Sequence, residues 1–221
     1  LMLRGMRHLP CEILLTIGGT ATVDGGSGLA RALGWRLLDA RGRDLPPGGA
    51  ALRHLRRLIA PRFNPCAGPK VRVACDVTNP LLGAHGAART FGPQKGATPA
   101  QVKILEAGLR QFSQILTEHF GRDFASDPGA GAAGGMGAGL RAFLAAELVP
   151  GADLVMTALD LPRHLQGADL VITGEGRSDA QTLHGKVASG VARAARAAGV
   201  PCVLISGSVE DPEHLTRELG L

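Results

Sequence analysis

The sequence predicts an α/β protein with mostly parallel sheets and flanking helices. Short apolar runs alternate along the chain with amphipathic stretches, as strands alternate with helices. Three glycine-rich loops directly follow predicted strands, after Ile17, Val77 and Ile172. Strands separated by helices tend to pair in parallel, and ligands of such sheets bind at the carboxyl ends of the strands. The glycine-rich loops are therefore the first places to look for a site.

The N-terminal elements follow from apolar runs and the glycines that end them. The first strand is an apolar run that stops at Gly18-Gly19, and the first helix is closed by Gly34. In chain order the pattern predicts a strand, a short helix, a turn, a helix, a strand and a long polar loop, at residues 12–17, 27–33, 43–49, 50–59, 71–77 and 78–96.

The clearest predicted helix covers residues 98–120. Thr98 is typical of an N-cap, Pro99 of a first helical position, and Gly121 of a C-terminal cap. Apolar residues recur every three or four positions, which indicates a face that packs into the core. A glycine-rich loop at 128–139 and a helix at 140–148 follow.

The C-terminal part predicts a βαβ unit. Its strands are expected at 169–172 and 202–205, with an alanine-rich helix at 186–198 between them. The length of 221 residues allows one large domain or two small ones.

Composition excludes several classes of protein. The chain has 221 residues, of which 45% are hydrophobic and 19% charged, enough apolar material for a core and too much for a disordered chain. Its net charge of +5 comes from scattered basic residues, and aromatics are 3% with no Tyr, so nucleic acid is not an expected partner. No apolar run is long enough for a membrane helix, and no secretory signal is visible. Four widely spaced cysteines without a C-x-x-C pair favour reduced thiols in a cytoplasmic protein.

Two of the glycine-rich loops could bind anions at the ends of strands. In the first loop, at 18–28, exposed backbone amides at Gly18 and Gly19 could approach a phosphate. In the second, Asp76 stands at a strand end, where Mg²⁺ or a hydroxyl proton is commonly handled, although a turn-capping role is equally consistent. Lys95 in the same loop supplies positive charge.

Two further loops carry other patterns. Residues 129–134 match G-x-G-x-x-G, but no strand precedes them, so the dinucleotide interpretation is weak. The segment 173–186 crowds Glu175, Arg177, Asp179 and Lys186 between a strand and a helix. Carboxylates and cations together suit metal and phosphate chemistry, and an exposed, salt-bridged loop is the alternative.

Taken together, these loops resemble the bacterial glycerate kinase family of type 1. The resemblance rests on IGGTAT at 17–22, DGG at 24–26, CDVTNP at 75–80, FGPQKGATP at 91–99, PGAGAAGGMG at 128–137 and ITGEGR at 172–177, followed by Asp179, Gln181, Thr182, Gly185 and Lys186. It implies two α/β domains, one of them Rossmann-like and built from separated segments, so that we expect an α/β region over 1–161 and a Rossmann-like segment over 162–221. It also implies phosphorylation of D-glycerate with Mg-ATP, typically to 2-phosphoglycerate. Family members are longer, so the chain is expected to be truncated at both ends, with part of the Rossmann-like domain missing.

The resemblance also implies roles for individual residues. Asp76, Asp179 and Glu175 are the candidate catalytic acids, and the choice between base and Mg²⁺ ligand stays open, with Asp76 and Asp179 the candidate metal ligands. Candidate substrate-binding residues are Arg177, Lys95, Asn79 and Gln181. Candidate phosphate-binding residues are Gly18, Gly19, Gly129, Gly131, Gly134, Gly135 and Lys186.

Two other functions remain at this stage. An NAD(P)-dependent oxidoreductase would use the G-x-G-x-x-G match, but the acidic residue it needs, Glu147, falls in a predicted helix. A non-catalytic remnant of the kinase could still bind nucleotide. The expected partners are D-glycerate and ATP, and a homodimer is left open.

Overall fold

The computed structural model describes residues 12–62, 68–183 and 187–221. The chain divides into two compact units, one up to Leu148 and the other from Val149 onward. This division comes before the predicted domain boundary at residue 161. The α/β class and the parallel pairing of strands agree with the sequence prediction.

A three-stranded sheet organises the first unit. Its strand order is β1-β4-β5, with β1 at Glu12–Thr16, β4 at Lys70–Ala74 and β5 at Glu147–Val149. β1 and β4 run parallel in a register that pairs Thr16 with Ala74. Because both strands end at the same edge, the loops that follow them emerge side by side.

In the described part of this unit, four α-helices and two 3-10 helices accompany the sheet. They are α1 (Ser27–Ala32), α2 (Ala87–Phe91), α3 (Pro99–Phe120) and α4 (Ala132–Leu144), with 3-10 helices at Gly49–His54 and Pro93–Lys95. The predicted caps of α3 are confirmed. Thr98 Oγ1 accepts a hydrogen bond from the Gln101 amide, Gln101 Oε1 accepts one from the Thr98 amide, and Gly121 ends the helix at φ 69°.

The prediction of one helix over 50–59 is wrong beyond His54. The chain turns extended at Leu55, and β3 (Arg57–Ile59) then pairs antiparallel with β2 (Arg36–Leu38). Leucines three residues apart fit one face of an α-helix. The same leucines are buried just as well when the chain forms a short 3-10 helix followed by a β-strand, as it does here. Pairing with β2, which is distant in sequence, decides between the two.

Other boundaries also move. The loop predicted at 78–96 contains α2 and a 3-10 turn, and the helix predicted at 140–148 begins at Ala132 and ends at Leu144. Glu147 therefore begins β5 rather than lying in a helix. In the first turn of α4, Ala133, Gly134 and Gly135 have positive φ. Because this turn is not regular α-helix, the sequence there lacks the spacing of apolar residues that would predict where the helix begins.

The core of the first unit forms around aromatic rings on α3 and α4. Phe112 is fully buried, and its ring centroid lies 6.2 Å from that of Phe143. Trp35, the single tryptophan, lies 5.0 Å from Phe143 and 5.6 Å from Phe120 between ring centroids. The apolar stripe predicted on α3 is thus confirmed as core.

The second unit contains the predicted βαβ arrangement. β6 (Val171–Ser178) and β7 (Cys202–Val209) pair in parallel, and α7 (Val187–Ala197) connects them. The other helices of this unit are α5 (Gly151–Ala158), α6 (Leu161–Leu165) and α8 (Pro212–Leu219). Both strands are longer than predicted, so that the residues 174–178 belong to β6 rather than to a loop. In the part of the chain that is described, no helix combines the length and apolar character needed to cross a bilayer.

We expect Phe112→Ala to lower the free energy of unfolding of the first unit by about 3–5 kcal/mol, because it leaves a cavity in a closely packed aromatic core. Urea unfolding followed by the fluorescence of Trp35 measures this unit specifically. Lys103→Ala, at an exposed position of the same helix, is the control and should change stability by less than about 0.5 kcal/mol. Equal effects of the two substitutions would contradict the assigned core.

Candidate functional site

A cavity of about 290 Å³ opens where β1 and β4 end. The residues after β1 contribute Gly18, Gly19 and Thr20, and those after β4 contribute Cys75 and Asp76. The remaining wall comes from the α2 region and the start of α4, through Phe91, Gln94, Lys95, Ala132 and Ala133. The parallel register therefore brings together four residues predicted separately from two loops: Gly18, Gly19, Asp76 and Lys95.

Lys95 is held in place by two hydrogen bonds to the first loop. Its Nζ donates to Thr20 Oγ1 at 3.2 Å and to the carbonyl oxygen of Thr22 at 2.7 Å. Burial lowers the pKa of the Lys95 ammonium, and the charge of Asp24 partly opposes that shift. An ammonium has three N–H donors, so among the described residues one remains for an anion in the cavity.

Asp24 provides the buried negative charge beside this lysine. Its Oδ1 accepts a hydrogen bond from the Gly26 amide at 3.1 Å, and its Oδ2 accepts one from Ser27 Oγ at 3.2 Å. Asp24 and Lys95 both line a second cavity of about 530 Å³, whose walls are mainly apolar. The two cavities thus share Lys95.

Gly18 and Gly19 differ from the other predicted phosphate-binding glycines in what surrounds them. A Cβ at Gly18 or Gly19 would meet nothing within 4 Å, so ligand atoms could approach the backbone there. A Cβ at Gly131 would overlap the carbonyl oxygen of Pro80, and one at Gly134 would overlap that of Thr22. Packing against the protein's own backbone therefore explains why glycine is needed at Gly131 and Gly134, in the segment 129–135 (the α4 segment).

The backbone amides of the α4 segment are also used internally. The amide of Gly131 donates to the carbonyl of Asn79 at 2.9 Å, and that of Gly135 donates to the carbonyl of Gly131 at 3.2 Å. A Cβ at Gly129 would lie 2.9 Å from Leu148 and 3.0 Å from Cys75 Sγ. The role of these glycines in binding phosphate stays a prediction, since their contacts alone explain why glycine is needed.

Asn79 braces the loop that follows Asp76. Its Nδ2 donates to the carbonyl of His85 at 2.8 Å, across the turn that leads into α2. Glu106 on α3 supports the same turn, because its Oε1 accepts a hydrogen bond from the Gly83 amide at 2.9 Å. Sequence reasoning did not identify Glu106, although an acidic residue on the buried face of an amphipathic helix is a usable indication of such a contact.

Cys75 lies at the cavity wall next to Asp76. Its Sγ donates to the carbonyl oxygen of Val77 at 3.3 Å, and burial raises the pKa of the thiol. A raised pKa keeps the sulfur protonated near neutral pH, which disfavours a nucleophilic role. Cys75 therefore acts as a small packing residue in this wall.

The acidic and basic residues predicted in the second unit form a separate cluster. Glu175 Oε1 accepts hydrogen bonds from Ser178 Oγ at 2.8 Å and from Thr182 Oγ1 at 2.5 Å, and both of these hydroxyl residues are fully buried. Arg177 pairs with Glu210, and its Nε lies 3.6 Å from Asp179 Oδ2. Glu175, Arg177 and Asp179 are therefore engaged with their neighbours in this unit. The side chain of Gln181, and all of Lys186, lie outside the described residues.

Comparison with known proteins places this arrangement in a family. A profile of the Glycerate kinase family matches residues 1–221. The chain belongs to the glycerate kinase family.

Individual relatives in the glycerate kinase family agree with that assignment. Glycerate kinase from Halalkalibacterium halodurans is 50% identical over 211 residues, which cover 95% of this chain and 56% of the relative. Glycerate 2-kinase from Escherichia coli is 44% identical over 225 residues, covering 100% of this chain and 58% of the relative. A crystal structure of a protein described as glycerate kinase 2 from Salmonella typhimurium matches with a TM-score of 0.82 at 41% identity, over 99% of this chain and 63% of that one. The chain thus spans a little over half the length of the curated relatives.

Two glycines with nearly the same φ allow backbone strain to be separated from packing in this member of the glycerate kinase family. Gly19 (φ 71°) faces open space, whereas Gly134 (φ 72°) faces the Thr22 carbonyl. We expect Gly19→Ala to cost about 1–2 kcal/mol of stability from left-handed strain alone. Gly134→Ala should cost about 1–3 kcal/mol more because of overpacking. Urea unfolding of both variants, followed by Trp35 fluorescence, tests this, and equal losses would contradict the packing role of Gly134.

The lowered pKa of Lys95 can be measured directly, because the chain has only four lysines. In a ¹³Cε NMR titration, the signal that disappears in Lys95→Arg should titrate below the pH at which the lysine of a model peptide does. The physical reason is that burial disfavours the charged ammonium. A midpoint at or above the model-peptide value would show that Asp24 outweighs burial.

Proposed function

We propose that this chain transfers the γ-phosphoryl group of ATP to a hydroxyl of D-glycerate, giving 2-phosphoglycerate rather than 3-phosphoglycerate. The single observation that carries the proposal is the cavity at the ends of β1 and β4, where Asp76, Lys95 and the open backbone at Gly18-Gly19 converge. Membership of the glycerate kinase family supplies the substrates.

The first cavity suits the reacting groups in size and charge. Small-molecule sites usually measure about 300–1,000 Å³, and a cavity of about 290 Å³ suits a three-carbon acid better than a nucleotide. Lys95 offers its remaining N–H to the transferring phosphoryl group, and the amides at Gly18 and Gly19 approach its oxygens. Phosphoryl transfer depends mainly on such positioning and charge stabilisation.

Asp76 is the candidate base in this proposal. It stands at the cavity wall just beyond β4, where an Oδ can accept the proton of the attacking glycerate hydroxyl. Asp24 is less suited to this task, because it lines the second cavity rather than the first. Glu175, Arg177 and Asp179 belong to the second unit, and the roles assigned to them from sequence stay predictions.

The residues present also fit a magnesium ion that arrives with ATP. No group of three or more His, Cys, Asp or Glu side chains among the described residues could hold a metal by itself. Mg²⁺ in kinases is usually bound by one or two carboxylates together with substrate phosphates and water, so a single carboxylate is enough, and with Asp76 as the base the donor proposed from sequence is Asp179. When bound with ATP, the ion neutralises charge on the phosphate oxygens.

The oxidoreductase alternative is not favoured by the geometry. The G-x-G-x-x-G segment follows no strand, and its glycines pack on the backbone of residues 22 and 80. Glu147, the acidic residue that alternative would need, pairs with Lys70 at 3.0 Å on β5.

We expect D-glycerate-dependent ADP release from the chain with Mg-ATP, and a fall in kcat of about 10²–10⁴ in Asp76→Asn, because the base is lost. ³¹P NMR of the product distinguishes phosphorylation at the 2-position from the 3-position. Asp123→Asn is a matched control, since Asp123 lies outside the residues that line the cavity and accepts hydrogen bonds from the Ala125 amide and from Ser126 Oγ. Undiminished kcat in Asp76→Asn would exclude Asp76 as the base, and no glycerate dependence from folded protein would contradict the function.

A further inference from the structure

The second cavity adjoins the first across a wall that carries a cation. Thr20 lines the first cavity and Thr22 the second, while Lys95 lines both. Lys95 Nζ donates to a group on each of these threonines, so its ammonium sits at the junction. A ligand that extends from one cavity into the other would pass this charge.

The two cavities differ in size and in the chemistry of their walls. The second has about 530 Å³ against about 290 Å³ for the first, and falls in the ordinary range for small-molecule sites. Val23, Ile104 and Leu105 give it apolar walls. A flat apolar group fits there better than a charged one.

Asp24 sets the polarity within the second cavity. A carboxylate has about four lone-pair sites, and the described residues use two of those on Asp24, so it can still accept hydrogen bonds from ligand hydroxyls. Its negative charge repels phosphate, whereas the ammonium of Lys95 attracts it. The cavity therefore suits a ligand whose apolar part lies against the apolar walls, whose hydroxyl groups lie near Asp24 and whose anionic part lies at Lys95.

We propose that the second cavity binds the nucleoside of the phosphoryl donor, with its base against Ile104 and Leu105 and its ribose hydroxyls near Asp24. The phosphate chain then runs past Lys95 into the first cavity. This inference rests on the proposed function, because it names where the donor of that reaction is held.

The test separates the nucleoside from the phosphates by using two probes, adenosine and inorganic tripolyphosphate, in calorimetric titrations of the full chain. Ile104→Trp on α3 and Ala50→Trp on the 3-10 helix Gly49–His54 each add a bulky side chain at a residue that lines the cavity. Both variants should lower the affinity for adenosine at least tenfold and change the affinity for tripolyphosphate less than twofold. Lys95→Met should lower the affinity for tripolyphosphate at least tenfold and change the affinity for adenosine less than twofold. Ala107→Trp, exposed on the same helix and outside the cavity lining, should leave both probes unchanged.

The outcomes distinguish this inference from the proposed function. Adenosine affinity that is unchanged in both cavity-filling variants, with the fold verified by circular dichroism, overturns the inference even when glycerate is phosphorylated. Loss of adenosine binding in the control variant Ala107→Trp as well as in the cavity-filling variants also overturns the inference. Adenosine binding that both cavity-filling variants abolish supports the nucleoside site, and if glycerate dependence is then absent, only the proposed acceptor is wrong.

Discussion

The parallel pairing of β1 with β4 is the constraint on which the candidate site depends. Its register sets Thr16 opposite Ala74, so the chain leaves both strands at the same edge and at the same level. Gly18-Gly19 and Asp76 can face one cavity only under that register. A slip of one residue would turn alternate side chains to the other face of the sheet and separate these groups. The buried Val71 and Val73 on β4 fix the register, because the same slip would expose them.

Close backbone packing beneath the cavity supports both loops. The α4 segment contacts the first loop where Gly134 meets Thr22, and the second loop where Gly131 meets Pro80. The hydrogen bond from the Gly25 amide to the Gly134 carbonyl, at 3.1 Å, joins the segment to the first loop as well. A glycine-rich stretch that resembles a nucleotide-binding motif thus works as a rigid support. Sites held by such packed second layers keep their groups in place without help from the ligand.

Charge is distributed differently in the two units. In the first unit, Lys95 and Asp24 line the same cavity, and burial lowers the pKa of the lysine while the charge of Asp24 partly opposes that shift. In the second, Glu175 accepts hydrogen bonds from the buried hydroxyls of Ser178 and Thr182. Glu175 is half-buried, and these donors offset the cost of withdrawing part of its carboxylate from water. The acids of the second unit are therefore built into its structure, whatever further role they have.

The sequence by itself determined the α/β class, the family and the limits of α3, because helix caps, apolar spacing and loop motifs are all local in the chain. It also identified Asp76 and Lys95 as candidates, though not that they share a cavity. Tertiary structure alone decided the rest: that residues 57–59 form a strand against β2, that the glycines of α4 meet backbone rather than open space, and that Glu106 supports the Gly83 turn. Each of these depends on residues far apart in sequence, and local preference cannot choose between two conformations that bury the same side chains equally well.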